Sequence, residues 1–384
     1  MQTLYAPKAL IGENLELKNH VLITISEDGI IHSLDTEVDD YSADTVLSQD
    51  TLVLPSFINM HTHIGDFLLK DQGFGLSLRE VVGRNGVKHS FLNKLSDERL
   101  QFSLEHALSL LISNGYSTFV DFREGGIKGV SMLGKVLESF LIRGIVLGRP
   151  SADDDIDSLV EYVDGFGFSD VFSVYEKEEL IENLEKALSS NSELLLSIHV
   201  AETKELVEKS IAEIGKTDLN YVIENLSPSF IVHCNYVTED NQFLKIKECG
   251  IGVVCCPLTA SYFGLQFPPI VKCLEYNIPL ALGTDNIMIA DVNPFFLMRF
   301  TLLTLSSKGV FLSPQTILKT LTVNPGLMLN QKIGQIFPGY KADFIGVNLS
   351  SPNLIHSNDV YKTLVFRTSV KDINFQMFEG RRIK

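Results

Sequence analysis

The stretch of sequence that decides the fold is residues 52–63, LVLPSFINMHTH. An apolar run of strand length ends in two histidines, His61 and His63. Side chains alternate along a strand, so both imidazoles point to the same face and can reach one metal ion from one strand end. A bare His-x-His pair also occurs by chance. Its interpretation therefore depends on whether other ligands follow later strands.

The bulk composition is that of an ordinary globular enzyme. The 384 residues are 45% hydrophobic and 21% charged, and this length can hold a barrel-sized domain plus a smaller one. A formal net charge of −16 argues against a nucleic-acid partner, because binding to phosphate backbones needs clustered Lys and Arg. No apolar run approaches the roughly 20 residues of a membrane span, and the first residues lack the pattern of a signal peptide.

Cysteine usage bears on the compartment. The chain has five cysteines without paired motif spacing, which indicates a reducing environment. The adjacent Cys255 and Cys256 are interpreted as buried free thiols. We therefore expect a cytoplasmic protein that binds neither nucleic acid nor membranes.

Short apolar strands alternate with amphipathic helices along most of the chain. The alternation spans roughly 280 residues and predicts an α/β fold, a (β/α)8 TIM-like barrel. A doubly wound open sheet is the competing fold, but no glycine-rich phosphate loop follows the first strand. Strands are predicted to end near Met60, Asp121, Gly148, Ser169, His199, His233, Cys256 and Gly283, and helices to cover 96–114, 177–190 and 204–214.

Both ends of the chain are instead rich in β-type patterns. The predicted strands there are 21–25, 30–34, a strand fed by a turn within 336–347, 360–367 and 373–378. We predict that residues 1–50 and 336–384 form a small composite β-sandwich domain, built from both termini. The catalytic barrel domain is predicted to cover residues 51–335.

Three more residues of ligand type follow predicted strands. They are His199 after 194–198, His233 after 230–232 and Asp285 after 280–284. The carboxyl ends of barrel strands converge on one mouth, where these side chains should meet the first two histidines. Such nitrogen and oxygen ligands suit Zn²⁺ or a similar divalent ion with an open position for water. The alternative is a set of core histidines.

A carboxylate, Glu202, follows three residues after His199. Because it comes directly after a strand, it should lie at the barrel mouth. There it can take a proton from the activated water and pass it to a leaving nitrogen. The alternative is an acid in the first turn of the helix that starts at Lys204.

At this point the sequence resembles the metal-dependent amidohydrolase superfamily, within it the aminohydrolase/chlorohydrolase branch, which includes cytosine, guanine and adenosylhomocysteine-type deaminases. The resemblance covers nearly the whole chain. It is carried by residues 55–63, 199–203, 282–285 and 338–344. Homodimers are common among these relatives, so the resemblance also implies a homodimer here.

The resemblance implies roles for the strand-end residues. One divalent ion, Zn²⁺ with Fe²⁺ and Mn²⁺ as alternatives, would be ligated by His61, His63, His199 and Asp285. His233 would hydrogen-bond the attacking water or the tetrahedral intermediate. Glu202 would carry the proton to the departing group, and Asp285 would first receive it from the water.

The resemblance also separates sub-branches. Two-metal relatives such as dihydroorotase-like enzymes use a carboxylated lysine at the end of the fourth strand. No lysine stands at 166–169, and Lys177 falls in the next predicted helix. The chain therefore favours one metal and deamination over two metals and opening of a ring amide.

Two departures from the family pattern concern the substrate. Residues 64–73, IGDFLLKDQG, replace a Met/Leu-rich lid that ends in Arg-Gly, and 257–261, PLTAS, replaces a Pro-Thr-Ser-Asn turn. Because of these departures, the nucleoside-sized substrates of relatives are not carried over to this chain. The candidate substrate-binding residues are Arg123, Asp66, Phe67 and Asn286. Each has an alternative interpretation. For Arg123 it is a salt bridge to Asp121 or Glu124, and for Asp66 a solvated loop acid. For Phe67 it is packing of the loop, and for Asn286 orientation of Asp285.

The predicted function is hydrolytic deamination of an amino-substituted heterocycle (a purine, pyrimidine, pterin or related compound). Metal-activated hydroxide would attack the amino-bearing carbon, and ammonia would leave. One alternative is a hydrolase with the same site and another leaving group, either a chlorohydrolase or a cyclic amide hydrolase of the imidazolonepropionase type. Another is an inactive scaffold, which should have lost one or more ligands.

Overall fold

The structure, a computed structural model, describes residues 1–38, 42–83, 85–150 and 156–384. The chain forms two compact units. One consists of Met1–Ile58, Leu111–Ser117 and Val292–Lys384, and the other of Asn59–Leu110 and Thr118–Asp291. Every candidate site residue lies in the second unit. Among the described residues, no helix is long and apolar enough to cross a membrane.

The strands are short except for the first two. They are β1 (Gln2–Ile11), β2 (Glu16–Ile25), β3 (Ile31–Asp35), β4 (Thr45–Val46), β5 (Thr51–Pro55), β6 (Phe57–His63), β7 (Tyr116–Arg123), β8 (Arg143–Gly148), β9 (Gly165–Phe168), β10 (Leu195–Val200), β11 (Phe230–His233), β12 (Gly252–Cys255), β13 (Leu280–Leu282), β14 (Asp285–Asn286), β15 (Phe344–Asn348), β16 (Ile373–Phe378) and β17 (Arg381–Arg382).

The helices lie mostly between strands of the second unit. They are α1 (Leu78–Val82), α2 (Val87–Leu92), α3 (Asp97–Ser113), α4 (Gly126–Leu137), α5 (Ile156–Leu159), α6 (Glu178–Ser190), α7 (Lys204–Ile214), α8 (Asp218–Asn225), α9 (Asp240–Glu248), α10 (Pro257–Tyr262), α11 (Ile270–Glu275), α12 (Pro294–Ser307), α13 (Pro314–Lys319), α14 (Val323–Met328) and α15 (Val360–Phe366). Short 3₁₀ helices cover Ile64–Leu69, Val160–Tyr162, Val171–Ser173 and Val370–Asp372.

One sheet joins strands from both termini. Its order is β17-β16-β15-β5-β1-β2-β3, with β4 paired to β1. The alternation expected of a half-buried strand is visible in β2, where Val21, Ile23 and Ile25 are buried and Leu22 and Thr24 are less so. The expected pairing of N- and C-terminal β segments is thus present. The sandwich arrangement and the domain limits after residues 50 and 335 stay predictions.

The second sheet is parallel and follows the chain order. Its order is β13-β12-β11-β10-β9-β8-β7-β6-β14. The pairs from β7 to β13, and the pair of β14 with β6, are parallel. Helices separate most successive strands, as a TIM-barrel-like α/β fold requires. This sheet brings the carboxyl ends of the strands, with their candidate ligands, to one edge.

The apolar stretch before the first two histidines forms two strands instead of the single strand expected. β5 joins the terminal sheet, whereas β6 joins the parallel sheet. Pro55 has no N–H to continue the hydrogen-bond ladder of β5, and the next two amides bond to residues outside that ladder. Ser56 N donates to Asp343 O, and Phe57 N donates to Gly115 O, both over 3.0 Å.

The prediction of a strand at 360–367 is wrong, because these residues form α15. The abundance of β-branched and aromatic side chains favours a strand locally. However, the Asp359 side chain caps the helix by accepting from Lys362 N over 3.0 Å. Burial of Thr363, Leu364 and Val365 in the helix then outweighs the local preference for a strand.

Candidate metal centre and active site

The five strand-end residues predicted as ligands or catalysts converge on one point. They are His61 and His63 on β6, His199 on β10, His233 at the end of β11 and Asp285 at the start of β14. All five are buried. Strand register explains the convergence, because β14 pairs with β6 beside the first two histidines and β10 pairs with β11 beside the other two.

The distances between donor atoms suit one ion. His61 Nε2 lies 3.2 Å from His199 Nε2 and 3.3 Å from Asp285 Oδ1. His63 Nε2 lies 3.6 Å from the same Oδ1. A tetrahedron with bonds of 2.0–2.1 Å has edges of about 3.3 Å. These three distances suit ligands of a divalent ion such as Zn²⁺. Two overlapping groups, His61–His199–His233 and His61–His63–Asp285, each have ligand atoms within 4.8 Å of one another.

Several ring nitrogens at this point lack ordinary partners. Among the described residues, neither nitrogen of His233 makes a well-directed hydrogen bond, although Nε2 lies 3.3 Å from Glu202 Oε1. His199 is different, since its Nδ1 lies 2.7 Å from Phe168 O. Donation from Nδ1 to that carbonyl leaves Nε2 with its lone pair facing His61, the orientation of a metal ligand.

Burial favours the neutral form of three of these imidazoles. It lowers the pKa of His61 to about 4 and the pKa of His233 to about 3, and it lowers the pKa of His199 well below the usual value. Neutral imidazole is the form that ligates metals. Burial alone would raise the pKa of Asp285, but the hydrogen bond with His61 helps to hold it well below the usual value.

The surroundings of Glu202 shift its pKa in the direction opposite to that of Asp285. Burial, followed by the negative charges of Asp285 and Asp170, raises the pKa of Glu202 well above its usual value. A carboxyl that is protonated near neutral pH can donate a proton. The structure also assigns the cap of α7 to Thr203, whose side chain accepts from Leu206 N. Glu202 is therefore not needed as a helix cap.

The turns after these strands are strained. His233 has φ +73°, Asp285 has φ +63° and Ala201 has φ +47°. Non-glycine residues in this left-handed region cost about 1–3 kcal/mol and cluster at functional sites. Buried Asp218 holds one of these turns by accepting from Ala201 N over 2.6 Å.

Comparison with known proteins agrees with this geometry. A family model described as the amidohydrolase family matches residues 52–383. The chain belongs to the amidohydrolase family. The prediction of a hydrolase acting on carbon–nitrogen bonds other than peptide bonds is confirmed at the level of this family.

Two relatives span nearly the whole of this amidohydrolase. An uncharacterised protein of Methanocaldococcus jannaschii is 31% identical over 380 residues, which cover 97% of each chain. The 5-methylthioadenosine/S-adenosylhomocysteine deaminase of Acetivibrio thermocellus is 25% identical over 380 residues, covering 92% of this chain and 87% of that protein.

Solved structures with low sequence identity share the fold. An adenosine deaminase from Xanthomonas campestris with bound zinc has a TM-score of 0.88 at 17% identity, covering 99% of this chain and 92% of that one. The atrazine chlorohydrolase of Arthrobacter aurescens, also with zinc, has a TM-score of 0.84 at 15% identity, covering 100% and 95%. At these identities the likeness concerns the fold alone.

The first candidate substrate contact of this amidohydrolase, Arg123, is enclosed by protein. Its Nη2 lies 2.8 Å from Glu124 Oε2, and its Nη1 lies 3.5 Å from Asp121 Oδ2. A Cβ on Gly65 would lie 2.2 Å from Nη2, so the loop after β6 packs directly on the guanidinium. These contacts match the salt-bridge interpretation of the arginine.

The other three candidate contacts also have protein partners. Asp66 accepts from Asn286 Nδ2 over 2.7 Å, and burial raises the pKa of this aspartate to about 6. Phe67 lies beneath Lys70 Nζ, 3.4 Å from the ring centroid, and its ring centroid is 5.9 Å from that of His106. Substrate contact by any of the three stays a prediction.

Sequence reasoning missed three residues at this centre. Glu124 follows β7 and faces His63. Cys256 follows β12, and its sulfur lies within 4.8 Å of ligand atoms of His233 and Asp285. Lys88 on α2 pairs with Glu124. A rule applied to every strand end would have found the first two. Lys88 carries no such signal, because its burial depends on how α2 packs.

Proposed function

We propose that the protein is a one-metal hydrolase that removes the amino group of an amino-substituted heterocycle, a purine, pyrimidine, pterin or related compound. The observation that carries the proposal is the placement of Glu202. Its carboxyl lies 3.3 Å from His233 Nε2 and has a raised pKa. Deamination needs a proton donor of this kind, because the ring nitrogen and the leaving amine must both be protonated.

The proposed metal ligands are His61, His63, His199 and Asp285, and the proposed metal is one Zn²⁺, with Fe²⁺ and Mn²⁺ as alternatives. When bound, such an ion acts as a Lewis acid that lowers the pKa of water to about 7. The sequence of β9, Gly-Phe-Gly-Phe, has no lysine, which supports one metal over two.

The remaining steps fall to side chains of this chain. The carboxylate of Asp285 accepts the proton of the attacking water. His233, with a nitrogen that has no well-directed partner, hydrogen-bonds the attacking oxygen. Glu202 delivers its proton to the ring nitrogen, then takes the second proton of the attacking oxygen and passes it to the departing amine, so that ammonia leaves as a neutral molecule. The proton held by Asp285 then returns to Glu202, which restores both groups.

The finer fold predictions are part of this proposal. We propose a closed eight-stranded barrel within residues 51–335 and a β-sandwich from residues 1–50 and 336–384. Support for closure comes from the sheet order, because its two ends, β13 and β14, are consecutive pieces of one segment. Support for the composite domain comes from the pairing of β5 with both β1 and β15.

We also propose a cytoplasmic location, supported by the five free cysteines, four of which are buried. The proposed partner is the small heterocyclic substrate. The absence of nucleic-acid and membrane partners, and homodimerisation, remain predictions.

The decisive experiment is a screen of Zn²⁺-loaded protein for ammonia release. The substrates are purines, pyrimidines, pterins, triazines and their nucleosides, including chlorinated triazines and small cyclic amides. We expect ammonia in equal amount to the substrate consumed. Release of halide alone, or of a ring-opened acid alone, would assign one of the other leaving groups and contradict deamination.

A further inference from the structure

His63 has its two ring nitrogens turned towards two different carboxylates. Its Nε2 lies 3.6 Å from Asp285 Oδ1, inside the donor cluster, and its Nδ1 lies 3.3 Å from Glu124 Oε1, outside the cluster. When a carboxylate takes the proton of one nitrogen, the other nitrogen keeps the lone pair for a metal. Glu124 thus faces the nitrogen of His63 that is not needed for ligation.

Two cations hold Glu124 in this position. Lys88 Nζ lies 2.6 Å from Oε1, the same oxygen that faces His63, and Arg123 Nη2 lies 2.8 Å from Oε2. The side chain of Lys88 is 3% exposed and that of Glu124 is 13% exposed. Both carboxylate oxygens are therefore engaged, and the group has little freedom to rotate.

The parts of this arrangement come from separate elements. His63 ends β6, Glu124 follows the end of β7, and Lys88 lies on α2. A buried carboxylate without a cation is costly, so Lys88 makes it possible to keep a negative charge beside the ring of His63. An ion pair that served only to fasten α2 would not require the shared oxygen to face a ring nitrogen.

We propose that Glu124, held by Lys88 and Arg123, is the positioning residue of His63. It fixes the Nδ1–H tautomer and the ring orientation that aims Nε2 at the metal. The inference rests on the metal site of the proposed function but not on the identity of the substrate. At 3.3 Å the two groups are in ion-pair contact, but among the described residues Nδ1 of His63 makes no well-directed hydrogen bond. Metal loading is expected to align the ring with the carboxylate and to shorten the contact.

The test measures metal binding without substrate. Zn²⁺ affinity of the full chain is determined by competition with a chelator of known affinity, and the Co²⁺-loaded protein is examined by visible absorption, which reports ligand geometry. For Glu124→Gln and Lys88→Met we expect about 10- to 100-fold weaker Zn²⁺ binding and an altered Co²⁺ spectrum. Glu124→Asp keeps the charge but moves it from the ring, so it provides a second variant that should fold and still bind metal more weakly.

The control is Asp164→Asn. Asp164 lies just before β9, at the opposite edge of the parallel sheet, and its carboxylate accepts from Val146 N over 2.8 Å. Its loss should leave Zn²⁺ affinity and the Co²⁺ spectrum unchanged. Wild-type affinity and spectrum in folded Glu124→Gln and Glu124→Asp would overturn the positioning role alone. Failure of the wild-type protein to bind any divalent ion would overturn the proposed metal site and this inference together.

Discussion

At the scale of single residues, the site contains two carboxyl groups whose surroundings move their pKa values in opposite directions. Contacts with histidines lower the pKa of Asp285, whereas burial raises the pKa of Glu202. Pairs of this kind separate a base from an acid within one site. The two side chains are therefore suited to opposite proton transfers, although both are acids.

Replacing Glu202 by glutamine keeps the shape of the side chain and removes its proton. We expect Glu202→Gln to lower kcat by about 10²- to 10⁴-fold while metal content stays at the wild-type level, because Glu202 is not among the donors. Steady-state kinetics and elemental analysis measure the two quantities. Glu205→Gln, an exposed change on α7, serves as control, and unchanged turnover in Glu202→Gln would refute the proposed proton transfer.

At the scale of elements, a close contact between strands positions the first ligand. Gly283 lies between β13 and β14, against β6. A Cβ at this position would lie 2.6 Å from His61 Cβ and 2.9 Å from its main-chain nitrogen. Any side chain there must displace the strand that carries His61 and His63, so the absence of a side chain is part of the site.

We expect Gly283→Ala to weaken Zn²⁺ binding by at least about tenfold and to cost about 1–3 kcal/mol of stability through overpacking. Chelator competition and thermal unfolding measure these effects. The matched control is Gly134→Ala on α4, where no atom of the described residues lies within 4 Å of an added Cβ. That change should add about 0.5–1 kcal/mol of helix stability and leave Zn²⁺ binding unchanged. Equal Zn²⁺ affinities in the two variants would contradict a role of the Gly283 contact in positioning His61.

Elements also differ in how well the sequence predicts them. The strands that lead into His199 and His233 could be predicted, because an apolar run followed by a ligand residue is a local pattern. Residues 360–367 could not, since their composition favours a strand and only the Asp359 cap and tertiary burial make α15. The separation of β5 from β6 depends on which sheet each strand joins, and that is a non-local property.

At the scale of the whole molecule, the donors connect distant parts of the second unit. β6, β10 and β14 each contribute one or two of them. An ion bound only by the native state stabilises it through mass action, by about 2.7 kcal/mol at 100 times Kd. Metal occupancy should therefore be visible in the stability of the fold as well as in turnover.

We expect removal of metal by dialysis against a chelator to lower Tm by about 5–10 °C, using 2–4 °C per kcal/mol for a unit of this size. Added Zn²⁺ should restore Tm, whereas Mg²⁺, which prefers oxygen ligands, should not. Differential scanning calorimetry gives the values. The variant Asp285→Asn should show a much smaller rise of Tm on addition of Zn²⁺. A wild-type Tm that changes with neither chelator nor Zn²⁺ would contradict the predicted site.

The donor set itself was predictable, because the carboxyl ends of parallel strands meet at one edge and the sequence places residues of ligand type at several of these ends. The surroundings of the donors were not. The role of Lys88 becomes visible only when α2 packs over the strand ends and pairs this lysine with Glu124. Arg123 could be assigned to a salt bridge or to a substrate until its neighbours were known. Packing of charged side chains depends on contacts that no sequence window contains.

The pairing of Asp285 with the strand that carries His61 and His63 has a consequence for the order of events during synthesis. A ribosome releases the two histidines first, and at about 5–20 residues per second Asp285 follows roughly 10 to 45 s later. Throughout that interval the nascent chain has imidazoles but an incomplete coordination sphere. The full donor set exists only after the last strand has docked beside the first. We therefore expect the full donor set to select among the available divalent ions only after β14 has paired with β6.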